Sequence, residues 1–125
     1  MKFGIQVSSL KPLLLTAEQV HEAFSRMKAL GCHVVQTQWV DFSVPVDCIA
    51  AAARENGIES VSVQDFYDTV LSKFDYYTAL NAATGGTWLC VSRIPERLKY
   101  PEGLDLYIGE LRAMQEKLTP LGQKV

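Results

Sequence analysis

Apolar, strand-like runs recur along this chain at a spacing of roughly thirty residues, the length of one strand–helix unit. They begin near Phe3, Val34, Ser60 and Trp88, and a segment of helical periodicity follows each. Strands joined through helices run parallel, with right-handed crossovers. The pattern therefore points to an α/β chain of parallel (β/α) units forming a single domain over residues 1–125.

The local signals place each element. Strand one spans Lys2 to Val7. Thr16 followed by Gln19 fits a capping box and starts helix one. Val20, Ala23, Phe24, Met27 and Leu30 give that helix one apolar stripe, and Gly31 stands at its C′ position. Strand two covers about His33 to Trp39. Ser43 and Pro45 open helix two, whose stripe is Val46, Ile49, Ala50 and Ala53, and Gly57 ends it. Strand three is Ser60 to Gln64, helix three about Phe74 to Thr84, and strand four Thr87 to Ser92. Helix four covers about Leu104 to Leu118, with Leu104, Ile108, Leu111, Gln115 and Leu118 on one side. Gln123-Lys124-Val125 reads as the approach to a fifth strand. The long loops, Asp65 to Lys73 and Arg93 to Gly103, follow strands, whereas the turns before strands are tight and carry glycine. That asymmetry matches a functional face at the C-terminal strand ends and a stabilising face at the other.

The strands are polar on one side only. Phe3/Ile5/Val7, Val35/Thr37/Trp39, Val61/Val63 and Leu89/Val91 alternate with Gly4/Gln6/Ser8, Gln36/Gln38, Ser62/Gln64 and Cys90/Ser92. A doubly wound sheet has helices on both faces and needs apolar residues on both. A barrel has helices outside only, and its lumen near the C-terminal rim can be polar. Chance alternation or amphipathic edge strands give the same pattern. The barrel reading makes this chain four of the eight units of a TIM barrel, a half-barrel. A small flavodoxin-like domain fits less well, because the chain has no phosphate-cradling glycine loop.

Composition narrows the function. The net charge is −2 and Lys and Arg do not cluster, so neither nucleic acid nor an anionic membrane is an expected partner. The opening MKFGIQVSSLKPLLL is too short and polar for a signal peptide or a membrane span, and the expected location is cytoplasmic. Cys32, Cys48 and Cys90 lack CxxC spacing and are expected to be buried free thiols. His21 lies off the stripe of helix one and His33 starts strand two, so neither is placed for catalysis. HxH, HExxH, GxSxG and GxGxxG motifs are all absent. No catalytic residue and no metal ligand is identified.

The candidates that remain sit where strands end. Gln6, Ser8, Gln36, Gln38, Gln64 and Arg93 form the expected substrate-binding set, with Asp65 and Ser92 beside them. Amides and hydroxyls both donate and accept, which suits a sugar or polyol. Arg93 suits a carboxylate or phosphate; the alternative is a surface ion pair with Glu96, Asp65 or Asp68. Asp41, Asp65 and Asp68 are either site acids or turn-formers and caps. Trp39 and Phe66 are either walls against a sugar ring or core.

Several segments together resemble the sugar phosphate isomerase/epimerase family, the xylose isomerase-like TIM barrels. MKFGIQVSSL resembles that family's first strand, LGCHVVQTQW its second unit, ENGIESVSVQDF its third and TGGTWLCVSRIPE its fourth. The resemblance implies an N-terminal half-barrel. It implies metal-assisted proton transfer on a sugar once a C-terminal half supplies a divalent ion (Mn, Mg or Zn) and its Glu, Asp and His ligands. Gln6 and Gln36 match recurrent family positions. Gln64 stands where many members have His, and Ser8 where an aromatic residue is common. The alternative is a non-catalytic or split-barrel binding module, with a second copy or a complementary half-barrel as partner.

Overall fold

The computed structural model describes residues 3–125. The expected start of strand one at Lys2 lies outside them. Four strands, β1 (Gly4–Gln6), β2 (Val34–Thr37), β3 (Glu59–Asp65) and β4 (Trp88–Val91), make one parallel sheet in the order β1-β2-β3-β4. The sheet is open. Helices α1 (Ala17–Ala29), α2 (Val46–Asn56), α3 (Tyr67–Ser72), α4 (Phe74–Ala83) and α5 (Pro101–Leu118) fall between and after the strands.

The strand order decides where the helices lie. Sequential parallel strands with crossovers of one hand keep every helix on the same face; a doubly wound sheet reverses its order. Accordingly α1 packs on α2 and α2 on α4. Val35, Val63 and Leu89 from the sheet join Val20, Phe24, Ile49, Ala53, Leu80, Met114 and Leu118 from the helices in one core. Among the described residues no helix packs on the opposite face of the sheet.

Local chemistry sets the helix ends. Thr16 caps α1 by accepting from the Gln19 N–H at 3.3 Å, and Gln19 reaches back to the Leu15 N–H at 3.0 Å, one residue earlier than in a standard capping box. Gly57 closes α2 at φ 63°, a left-handed position that glycine adopts without a Cβ penalty. The approach to a fifth strand is formed. Lys124 pairs in parallel with Trp88, donating to the Thr87 carbonyl at 2.8 Å and accepting from the Leu89 N–H at 2.8 Å. Gln123 is buried beneath it and anchors the segment to α4.

Several expectations change. Strand one ends at Gln6, and Val7–Leu13 form a 3-10 helix, so Ser8 lies beyond the strand. Strand two ends at Thr37, and Trp39 has φ 57°, which carries it out of the ladder. Val61 is 43% exposed instead of in the core. The β2–β3 register shifts between Val35 and Gln36, which pair with Ser60 and Ser62, leaving Val61 as the extra residue. Leu30 leaves the apolar stripe of α1 as its C-cap and is 78% exposed. The loop Asp65 to Lys73 contains α3, a short helix without the apolar periodicity needed to reveal it. Helix four starts at Pro101, not Leu104, because proline fits a first helical turn. Of its side, Leu118 is buried, while Leu104 and Ile108 remain exposed. The cysteines are free but not buried: Cys32 and Cys90 are half-buried and Cys48 is exposed.

Candidate functional site

The uncovered face of the sheet carries a connected amide network. Gln6 of β1 donates through Nε2 to Gln36 Oε1 of β2 at 2.9 Å and to Gln64 Oε1 of β3 at 3.1 Å. Ser8 donates to Gln6 Oε1 at 3.1 Å, and Gln36 Nε2 donates to Ser62 Oγ at 3.1 Å. In-register pairing of Gln6 with Gln36 and of Gln36 with Ser62 builds this row, since residues opposite one another in a ladder share a face. Each amide oxygen has a second lone pair, and Gln64 Nε2 has no protein partner among the described residues. The network can therefore both accept from and donate to a ligand hydroxyl.

The C-terminal edge of the sheet is organised around Asp65. This carboxylate is 4% exposed. Oδ1 accepts from the Phe66 N–H at 2.6 Å and from Trp39 Nε1 at 3.3 Å, and Oδ2 accepts a short bond from the Tyr77 hydroxyl. Burial, then the bond and charge of Asp65, push the Tyr77 phenol well above its ordinary range. Neighbouring Tyr76 is pushed up to about 12, by burial first and then by the Asp41 charge. Asp41 itself accepts from the Ser43 N–H at 2.8 Å, and the bonds from Ser43 lower its pKa. It is a turn-former. Asp68 is held bidentately by Arg97, which is where the expected acid of that loop goes.

Above this anchor each connection after a strand contributes one member of a cation–aromatic row. Lys11, after β1, lies 5.2 Å from the centroid of Trp39, after β2. Trp39 packs on Phe66, after β3, with centroids 5.8 Å apart. Arg93, after β4, stands 5.3 Å over the Phe66 ring. Trp39 holds a left-handed φ of 57°, the one positive φ outside glycine among the described residues. Such a conformation costs on the order of 1 kcal/mol and persists only where surrounding contacts hold it; here Phe66, Lys11 and Asp65 do so. Two clefts open along the row. One, of about 510 Å³, is lined by Phe66, Tyr67, Thr69, Arg93, Ile94 and Pro95 among others. The other, of about 220 Å³, lies between Lys11, Trp39 and Asp65.

Of the sequence-derived set, Gln6, Ser8, Gln36 and Gln64 come together on the uncovered face. Arg93 stands apart over Phe66, and none of the expected carboxylates pairs with it. Gln38 leaves the set: it lies past the end of β2, is 4% exposed, and its Oε1 has no partner in the structure. Ser92 sits at the end of β4, with its hydroxyl likewise buried and unpartnered. Lys11 and Tyr77 join the rim without having been expected there. Lys11 lies in the connection after β1, which is a usable signal; Tyr77 lies mid-helix and has none. His21 bonds Glu55 at 3.0 Å on the α1–α2 surface, and His33 is exposed at the N-terminal end of the sheet.

Among the described residues no three of His, Cys, Asp and Glu converge, and Asp65 is already committed to three donors. No helix among them is long and apolar enough to cross a membrane. No protein-family model matches the chain, and no curated protein sequence matches it.

Proposed function

We propose that this chain is the substrate-facing half of a (β/α)8 barrel of sugar phosphate isomerase/epimerase type, holding a sugar or polyol over Gln6, Gln36 and Gln64. The observation that carries the reading is the division of the sheet into a helix-covered apolar face and an uncovered face of mutually bonded amides. In a closed barrel the uncovered face is the lumen wall. The parallel pairing of Lys124 with Trp88 supports the same reading, because it continues the sheet beyond β4 in sequence order. Three unpaired thiols agree with a reducing, cytoplasmic setting.

The proton transfer implied by the resemblance requires an acid, a base and a metal that these residues do not supply. That step belongs to the completed barrel, and this half binds and orients. The non-catalytic or split-barrel reading has its own support: Asp65, the carboxylate best placed at a strand end, is buried under Tyr77, Trp39 and Phe66. On the split-barrel reading, the partner is a complementary half-barrel or a second copy.

Titration of the 15N-labelled protein with neutral polyols and hexoses tests the binding step. Amide-side-chain shifts at Gln6, Gln36 and Gln64, lost in Gln36→Leu, are expected. Saturable binding that leaves these three side chains unmoved would overturn the reading.

A further inference from the structure

The helix layer has an apolar flank at each end of the sheet, and both flanks are open among the described residues. At the β1 end, α1 turns His21 towards α2, where it bonds Glu55 at 3.0 Å. The other side of α1 lines a groove of about 290 Å³ with Gln19, Glu22, Ala23 and Arg26, and Leu13 completes it. At the β4 end, α5 turns Ala113 and Lys117 towards α3 and α4, where they share a cleft with Leu71 and Phe74. At about 3.6 residues per turn, Leu104 and Ile108 fall on the opposite side of α5. They are 40% and 38% exposed.

The two flanks match in charge as well as in polarity. Glu22 and Arg26 stand one turn apart along the groove and bond each other at 2.7 Å. Arg112 and Glu116 stand one turn apart beside Ile108, exposed and without an ion-pair partner among the described residues. The order of signs is reversed between the two helices. Both link parallel strands, so α1 and α5 run in the same direction. Set side by side in that direction, Arg112 meets Glu22 and Glu116 meets Arg26. Ile108 then comes level with Gln19, and Leu104 with Leu13, which fills the groove. The antiparallel arrangement would oppose like charges at both positions.

We propose that the α1 groove is occupied by the α5 flank of a second copy of this chain. Two copies joined this way meet twice, each α5 on the other's α1, and the assembly closes as a pair. The proposal rests on the split-barrel reading and names its partner. A second copy is favoured over a different chain because this chain carries both halves of the charge pattern.

Sedimentation of the full chain across the micromolar range is expected to show a monomer–dimer equilibrium. Glu22→Arg with Arg26→Glu reverses the α1 pair, and Arg112→Glu with Glu116→Arg reverses the α5 pair, both at unchanged net charge. Each reversal alone should weaken self-association by at least roughly tenfold, since like charges then face each other. An equimolar mixture of the two reversed chains should dimerise as the native chain does, because both of its contacts are matched again. Ile108→Glu, a change outside the core, should give a monomer. Circular dichroism checks that each variant is folded. A native monomer throughout would overturn the proposal and assign the flanks to a different chain. Open-ended oligomers, or a mixture that associates no better than its components, would overturn it as well. The polyol reading fails independently, in the Gln36 titration, because none of these substitutions touches the amide face.

Discussion

Gln6 on β1 donates its amide to Gln64 on β3 at 3.1 Å, passing over β2 between them. The same nitrogen also donates to Gln36 at 2.9 Å, so Gln6 is the hub of the uncovered face. Gln6→Leu removes two donated bonds and one accepted from Ser8. Because Gln6 is exposed, water replaces the lost partners, and the expected stability change is under about 1 kcal/mol in urea denaturation. Polyol binding, in contrast, should fall by roughly tenfold or more, since a leucine cannot replace the hub's donors and acceptors. A large loss of stability with unchanged binding would make the network structural.

Asp65 and Tyr77 are expected to be energetically coupled. Asp65→Asn replaces one acceptor oxygen by a donor facing either the Tyr77 hydroxyl or the N–H groups of Phe66 and Trp39. Tyr77→Phe strips the donor from Oδ2. Each substitution leaves a buried polar group without its proper partner and should cost about 1–3 kcal/mol. The double substitution should cost less than the two together, with a coupling of about 0.5 kcal/mol or more, measured by a double-mutant cycle in denaturant. Strict additivity would show that the short bond carries no stability.

Alkaline pH should destabilise the fold in part through Tyr76. Its folded-state pKa of about 12 lies above the ordinary value of 10.0. The folded protein therefore retains a proton that the unfolded chain releases. The contribution is intact below pH 10 and is lost as pH rises from 10 towards 12. Tyr77 shifts in the same direction. Tyr76→Phe should flatten the loss measured by denaturation at pH 7, 9.5 and 11. At pH 7 it should be neutral within about 0.5 kcal/mol, or stabilising, because the Tyr76 hydroxyl is buried without a partner. An unchanged alkaline slope would place the titration elsewhere.

Periodicity made the order of strands and helices legible, because a buried stripe must recur at the spacing of its element. The core positions Val20, Phe24, Ile49, Val63 and Leu89 were readable for that reason. The polar face was readable too, since Gln6, Gln36 and Gln64 alternate with apolar neighbours. Residues beyond the strand ends were not. Trp39 takes a left-handed φ that tertiary contacts impose and tryptophan itself disfavours. Asp65 reads as a loop residue until Tyr77, twelve positions away, folds back onto it. Val61 has the right residue type for the core, but the register shift beside it turns it out. These misses share one cause: each depends on a contact outside the element that carries the residue, whereas alternation reports on one element at a time.

Gly86 should be intolerant of a side chain, for a reason that reaches the far edge of the sheet. A Cβ at this position would lie 2.0 Å from Asn81 Oδ1 and 3.1 Å from the Ser60 carbonyl. Its φ is not in the left-handed region, so the obstacle is space. Asn81 is fully buried and cannot swing into solvent. Its Nδ2 donates to Gln123 Oε1 at 3.1 Å, and Gln123 Nε2 donates to the Thr78 carbonyl at 3.0 Å. Displacing Asn81 thus loosens Gln123, the residue before Lys124 in its pairing with β4. Gly86→Ala should cost about 1–3 kcal/mol by overpacking. It should also raise amide exchange at Lys124 and Leu89, which share the outer bonds of β4. Gly109→Ala, at a helical site with nothing within 4 Å, is the matched control and should stabilise by roughly 0.5–1 kcal/mol. Hydrogen exchange that changes throughout the sheet, and not at this edge, would show that Gly86 serves global packing and has no specific link to the β4 edge.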